Sequence, residues 1–344
     1  MSKIRAGGEA AAPFGPSHLV DAGTPTILPP MRAAVLVNRS AGSVVRSGLT
    51  AEEIRAAFTG AGVEAEVRLL AGAEIAAAAR AAVRNGFGAV VAAGGDGTIR
   101  SVAGALADSG AGDAAGGTTV PLGVLPVGTL NHFARDLGIP LVLEEAAAVV
   151  ATGRVQRLDL GEVNGEVFVN NSLLGFYPPV VRERDRQRRH LGRGKWWATV
   201  SALLKVVPRL PALRLRIEIP GQTVERTTRF VFVGNNEYVM HAFRFGARDR
   251  LDSGDLYLYV ADAPDRSHLV RLALLSLVRD LKAAERFEAW RLPEVTIDLV
   301  YDLVHKARTI TVYLDGEVEH LAPPLCYRVR PRALPVLLPA PAPR

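Results

Sequence analysis

The chain has 344 residues, 49% hydrophobic and 6% aromatic, so Ala, Val and Leu must fill a core large enough for two domains. Its single cysteine, Cys326, excludes an internal disulfide framework and a cysteine-rich metal site, and fits a reducing cytoplasmic setting. The net charge of +6 favours anionic partners such as nucleotides or acidic membrane surfaces.

Residues 1–30 are rich in Ala, Gly and Pro and read as a flexible tail. No apolar stretch follows Lys3 and Arg5, so no secretory signal is expected, and no apolar run is long enough to span a bilayer. Residues 31–159 alternate strands with helices. Ala33–Val37 reads as a strand, and Thr50 can cap a helix over Ala51–Ala61. Val63–Leu70 is a second strand, and Glu74–Asn85 is an Ala-rich helix. The apolar run Gly88–Ala92 is a buried strand, Ile99–Leu106 has helical spacing, and Leu122–Leu125 is a further strand. Ser109–Thr119 reads as a surface loop. This βαβ rhythm predicts a parallel sheet with helices on both faces.

The turn Gly94-Gly95-Asp96-Gly97-Thr98 lies between the Gly88 strand and its helix. Missing side chains let backbone N–H groups approach an anion, and the helix N-terminus adds partial positive charge. A carboxylate facing a polyphosphate is unfavourable without a cation between them, so Asp96 points to a Mg²⁺-nucleotide.

Residues 160–330 are mostly strands: Glu166–Val169, Leu213–Ile219, Thr227–Val233, Leu256–Ala261, Val295–Leu299 and Thr309–Leu314. Their alternation predicts a largely antiparallel β domain, interrupted by helical insertions near Arg182–Val207 and Ser267–Glu285. Residues 331–344 read as a second, Pro-rich tail.

Further motifs stand in order. The first strand ends in Val37-Asn38-Arg39-Ser40-Ala41-Gly42. After the Gly94 turn comes Pro126-Val127-Gly128-Thr129-Leu130-Asn131-His132-Phe133-Ala134-Arg135-Asp136-Leu137-Gly138-Ile139-Pro140. Then come Asn170-Asn171-Ser172-Leu173-Leu174-Gly175 and Asp315-Gly316-Glu317. Over about residues 32 to 330 this set resembles the diacylglycerol kinase / sphingosine kinase catalytic-domain family, the bacterial lipid kinases in particular. The resemblance implies an N-terminal Rossmann-like nucleotide domain, a C-terminal β-sandwich-like domain, and an active site in the cleft between them. It implies ATP and Mg²⁺, with a lipid's primary hydroxyl attacking the γ-phosphate. By the same resemblance Asn38, Gly94 to Arg100 (with Thr98 and Ile99), Gly128, Thr129, Asn131, Asp315, Gly316 and Glu317 would meet the nucleotide, and Asp96 the metal. Taken alone, Asn38 reads equally as a turn residue, and Asp315-Gly316 is a common hairpin dipeptide.

Two departures stand out. The family usually carries an acidic residue after the Asn at position 131, where this chain has His132. The acid before the Gly at the second-domain strand entry is replaced by Ser253, which leaves Asp252 as the candidate catalytic base and Asp255 as the start of a strand. The usual Gly-rich stretch before it reads Met240-His241-Ala242-Phe243-Arg244-Phe245-Gly246.

Arginines from Arg182 to Arg193, then Lys195, Trp196 and Trp197, suit peripheral contact with an anionic membrane face, or equally a solvated helix. Interleaved acids and the lack of a nucleic-acid fold signature argue against nucleic acid. Two other functions compete: a NAD-kinase-like enzyme, faintly suggested by Asn235-Asn236-Glu237, and a catalytically weak nucleotide-binding regulator, suggested by His132 and Ser253. A homodimer is compatible with the sequence, which does not fix the oligomeric state.

Overall fold

The computed structural model describes residues 3–5, 32–42, 44, 48–110, 120–128, 131–175, 212–238, 248–261, 287–300 and 309–340. The Ser109–Thr119 loop beyond Gly110, Thr129, the Met240–Gly246 stretch, both helical insertions with Trp196 and Trp197, and nearly all of the N-terminal tail lie outside the described residues.

The first half contains β2 (Arg32–Asn38), α1 (Ala51–Gly60), β3 (Glu64–Leu70), α2 (Gly72–Arg84), β4 (Ala89–Ala93), α3 (Asp96–Ser109), β5 (Leu122–Leu125), α4 (His132–Asp136) and α5 (Leu143–Thr152). A short strand, β1 (Lys3–Arg5), precedes it. Strands β3, β2, β4 and β5 pair in parallel, in the order β5-β4-β2-β3. Their side chains alternate between two cores, as a period of two requires. Ala34, Leu36, Val90 and Ala92 pack with Ile75 and Ala79 of α2 and Ile99 and Val102 of α3. Ala33, Val35, Val37 and Val91 pack with Ile54 and Phe58 of α1 and Ala146 and Val150 of α5. The α1 start is fixed by a capping box: Thr50 Oγ1 accepts from the Glu53 N–H, and Glu53 accepts from the Thr50 N–H.

The second half contains β6 (Arg154–Val163), β7 (Glu166–Phe168), β8 (Asn171–Gly175), β9 (Leu213–Ile219), β10 (Gln222–Thr228), β11 (Phe230–Asn235), β12 (Leu256–Ala261), β13 (Phe287–Leu292), β14 (Glu294–Leu299), β15 (Ile310–Leu314), β16 (Glu317–Leu321) and β17 (Leu325–Leu338). Among the described residues one sheet has seven strands, in the order β1-β13-β12-β11-β8-β15-β16. It packs against β9, β14 and the start of β17 through one apolar core, which includes Val231, Leu258, Trp290, Ile217, Ile297 and Tyr327. Thr227–Val233, read from sequence as one strand, is two. The chain breaks at Arg229, where Thr228 Oγ1 accepts from the Phe230 N–H.

The two halves share a sheet. β17 pairs antiparallel with β14 over Leu325–Arg328 and with β6 from Tyr327 to Leu338, and reaches β5 in parallel at Val336. Its residues enter all three cores: Tyr327 with the sandwich, Leu334 and Val336 on one face of the parallel sheet, and Leu337 on the other. This corrects the expectation of a tail from residue 331. Prolines 331 and 335 read as strand breakers, but Pro331 falls where the register shifts between Arg330 and Leu334, and Pro335 stands in the ladder opposite Arg157. The tail expected over residues 1–30 also contains one pairing, Lys3–Arg5 against β13. β6 runs unbroken through position 159, where the change from alternating strands and helices to mostly strands suggests a domain boundary.

One stripe of α3 faces the β half. A methyl on Gly104 would lie 2.9 Å from Val167 Cγ2, so the helix lies tight against β7. One turn on, Arg330 of β17 donates to the Ala107 carbonyl.

Candidate active site

The site begins where β4 ends. Gly95 caps α3 in extended backbone, and no side chain caps the helix. The first-turn N–H groups of Asp96, Gly97 and Thr98 therefore have no partner within the helix. Gly94 is forced: a Cβ there would lie 2.2 Å from Thr98 Oγ1. Thr98 Oγ1 accepts from Asn38 Nδ2 at 3.1 Å, and Asn38 Oδ1 accepts from the Ser40 N–H at 3.0 Å. The end of β2 is thus tied to the turn.

A second loop closes on the first. A Cβ on Gly128 would lie 2.4 Å from Gly95 Cα and 2.6 Å from Asn131 Oδ1. Asn131 has a positive φ of 52°. Its Nδ2 donates to the carbonyls of Pro126 at 2.9 Å and Gly128 at 3.2 Å, which fixes the amide's orientation. Its Oδ1 is buried with no hydrogen-bond partner among the described residues. Such an orphan acceptor is costly and suits a ligand donor or a cation. Asp96 crosses to the same loop and accepts from the N–H groups of His132 at 3.2 Å and Phe133 at 3.1 Å. Because the Gly128 contact is backbone against backbone, neither side can give cheaply. We expect Gly128→Ala to destabilise the fold by about 1–3 kcal/mol and to weaken nucleotide binding, as denaturant unfolding and calorimetric titration would show.

The β half supplies the opposite wall. Asp315 and Gly316, both at positive φ, form the two-residue loop of the β15–β16 hairpin. The hairpin reading and the site reading both hold, because the Asp315 carboxylate also accepts from the N–H groups of Val169, Asn170 and Asn171 at 2.8, 2.7 and 3.0 Å. Burial pushes this carboxyl up from 3.8 to about 6; the three N–H donors oppose the shift and the charge of Asp96 adds to it. The folded state therefore holds the proton more tightly than the unfolded chain does. The stability contributed by this group is full below the ordinary carboxylate range and is lost as pH rises through about 6. Unfolding measured between pH 4 and 7 should show that decline, and Asp315→Asn should flatten it. The next residue but one, Glu317, stands on the turn itself: a methyl on Gly97 would lie 2.0 Å from Glu317 Oε1.

The structure thus brings together Asn38, Gly94 to Thr98, Gly128, Asn131, Asp315, Gly316 and Glu317. Two expected residues have side chains elsewhere. Ile99 is fully buried in the core, and its N–H donates to the Gly95 carbonyl. Arg100 turns its guanidinium towards β7 and β16. Asp252 pairs with Arg250 at 3.3 Å, and Asp255 pairs with Arg291 at 2.6 Å. Ser253 donates from its N–H and its hydroxyl to Asn236 Oδ1.

A buried polar cluster behind the site escapes sequence reasoning. The Arg248 side chain is fully buried. It donates to Asp136 Oδ2 at 2.8 Å, to the Val169 and Asn235 carbonyls, and to Asn170 Oδ1, and it lies over the Tyr238 ring. Asp159 accepts from the N–H groups of Gly254 and Arg332, which holds the turn after Asp252 and the irregular point of β17 together. Burial raises its carboxyl pKa. The cluster meets the fourth motif at Asn170, whose Oδ1 accepts from Arg248, but nothing in the motif itself shows that a charge is buried there.

A Gly-rich strand-to-helix turn, walled by a hairpin from a β-sandwich, defines a two-part α/β and β fold with its polar site between the parts. Residues 32–163 match the model of the diacylglycerol kinase catalytic domain. The chain is 25% identical to the diacylglycerol kinases of Staphylococcus aureus strains JH9 and Newman over 155 residues, 45% of this chain and 49% of theirs. It therefore spans about half the length of these curated relatives. A diacylglycerol kinase structure from Bacillus anthracis str. Sterne covers 91% of this chain, and 98% of itself, at 16% identity with a TM-score of 0.62. A second structure from that organism covers the same shares at 21% identity with a TM-score of 0.67. These two establish the fold.

Proposed function

We propose that the chain is an ATP-dependent lipid kinase that moves the γ-phosphoryl group to the primary hydroxyl of a diacylglycerol-like lipid. The observation that carries this reading is a carboxylate, Glu317, held against an anion-binding turn, Gly94–Thr98. Such a turn grips phosphate through N–H groups, and a carboxylate beside it suits a reaction that releases a proton there.

Several residues fit the phosphates and a cation. The free N–H groups of the α3 first turn would take phosphate oxygens. Asp96, Asp315 and the orphaned Asn131 Oδ1 would supply oxygen donors of the kind a hard cation takes. Mg²⁺ bound there would neutralise charge on the phosphate oxygens. The protein's own work is positioning and proton transfer. The lipid oxygen forms a bond to the γ-phosphorus, the bond from that phosphorus to the bridging oxygen breaks, and the hydroxyl proton passes to a carboxylate. Glu317 is the carboxylate at the turn. Asp252 is the second reading, favoured by the precise hold that Asp159 and Asn236 keep on the residues following it.

Labelled ATP with Mg²⁺ and a panel of neutral glycerolipids, sphingoid bases and NAD tests the proposal. Transfer to a diacylglycerol is the expected result. Transfer to NAD would make this a NAD-kinase-like enzyme, and tight ATP binding without transfer would make it a regulator.

Among the described residues no helix is long and apolar enough to cross a membrane. The lipid would be met at the bilayer surface through the Arg182–Trp197 segment. Co-sedimentation with anionic vesicles should weaken with salt, and weaken further on replacing Trp196 and Trp197 with Ala.

A further inference from the structure

Arg100 lies on the α3 stripe that faces the β half, between Gly97 and Gly104. Its side chain is 8% exposed. Nε donates to the Val167 carbonyl at 2.8 Å, Nη1 to Glu319 at 2.8 Å, and Nη2 to Glu166 at 3.0 Å. Nη1 also lies 3.9 Å from Glu317 Oε2. One cation therefore stands among three carboxylates that come from two strands, β7 and β16. Glu317 and Glu319 sit on the same side of β16, as the strand's period of two requires.

We infer that Arg100 is a positioning residue that holds Glu317 over Gly97 and is not itself a phosphate ligand. The inference rests on the kinase reading for its catalytic consequence, but its geometry stands alone. Three of its five N–H hydrogens, one on each nitrogen, are committed to Val167, Glu166 and Glu319, so the guanidinium is anchored from the β half and drawn away from the mouth of the turn. What reaches Glu317 is charge, at a distance too long for a hydrogen bond. That charge offsets the mutual repulsion of Glu166, Glu317 and Glu319. Without it the most exposed of the three, Glu317 at 57%, is the one free to swing into solvent and leave Gly97. A neutral side chain at position 100 would thus displace the carboxylate without touching the phosphate-binding N–H groups.

The test is a double-mutant cycle on the full chain. Arg100→Gln should lower kcat by about a hundredfold, the scale of a group displaced by an ångström, while KM for ATP changes less than about twofold because the phosphate turn keeps its donors. In a Glu317→Gln background the same change should add less than about threefold, since the group it positions is already lost. Arg100→Lys should recover part of kcat, because an ammonium restores the charge but not the fork. Should Arg100→Gln not fold, Arg100→Lys in the two backgrounds carries the same comparison. Equal losses in both backgrounds, or a raised KM at unchanged kcat, would overturn the inference. A second readout needs no activity: the Gly97 amide resonance of the nucleotide-free protein. Arg100→Gln should move it in the direction that Glu317→Gln does, and an unmoved resonance would also overturn the positioning role. If the wild-type chain phosphorylates no lipid, the kinase reading fails while the Gly97 resonance still decides the role of Arg100.

Discussion

Asp96→Ala should lower phosphoryl transfer by about a thousandfold, roughly 4 kcal/mol in the barrier, with the fold retained. Asp96 does two things in the proposed site. Its oxygens hold the N–H groups of His132 and Phe133, so the second loop is seated on the first. Its charge also faces the cation that a polyphosphate needs. Position 132 carries an imidazole and not a carboxylate, so in the proposed site more of the cation's neutralisation would fall on Asp96. Asp96→Asn separates the two roles, because the amide keeps one acceptor for the loop and discards the charge. Initial rates with labelled ATP, alongside circular dichroism melts, check the expectation. A rate within a few-fold of wild type at an unchanged melting temperature would remove Asp96 from the mechanism.

The other large effect concerns the proton. Glu317→Gln should lower kcat by about a thousandfold, within the range for removing a positioned general base, and leave ATP affinity nearly unchanged. Gln keeps the shape of the side chain over Gly97 but accepts no proton at neutral pH. Asp252→Asn should be mild by comparison, because its carboxylate is engaged by Arg250. The reverse order of effects would make Asp252 the base and Glu317 a wall of the site. Neither variant exposes apolar surface, so thermal melts should differ little from wild type.

The parallel half was legible because its signals are local. Alternation along Ala33–Val37 separates two cores, Thr50 with Glu53 marks a helix start, and three glycines around Asp96 mark a phosphate turn. Helix α5 gave no comparable signal, since its Ala-Val run suits strand or helix equally until the sheet face it covers is known. The site was legible as a set of motifs but not as a set of contacts. Nothing near Arg100 in the chain shows that its partner is Glu319, 219 residues away. The Asn235-Asn236 pair, read as a weak trace of another kinase group, instead serves the interior: Asn235 donates to the Asp159 and Val169 carbonyls, and Asn236 accepts from Ser253. The Arg248 cluster was hidden for the same reason, because a buried charge is recognisable only once its distant acceptors are assembled.

The path of β17 bears on how the protein is made. Strand β5 is buried along its whole length, and one of its flanks is covered by Val336 and its neighbours. A ribosome adds about 5–20 residues per second, so β5 leaves the exit tunnel tens of seconds before its neighbour is synthesised. During that interval the nascent nucleotide half presents an open apolar edge, a template for pairing with another chain. Emergence of β17, rather than completion of residue 159, is then the event that lets the first half finish folding. A translation pause placed after β5 should lengthen the exposed interval and raise the share of chains captured by holdase chaperones.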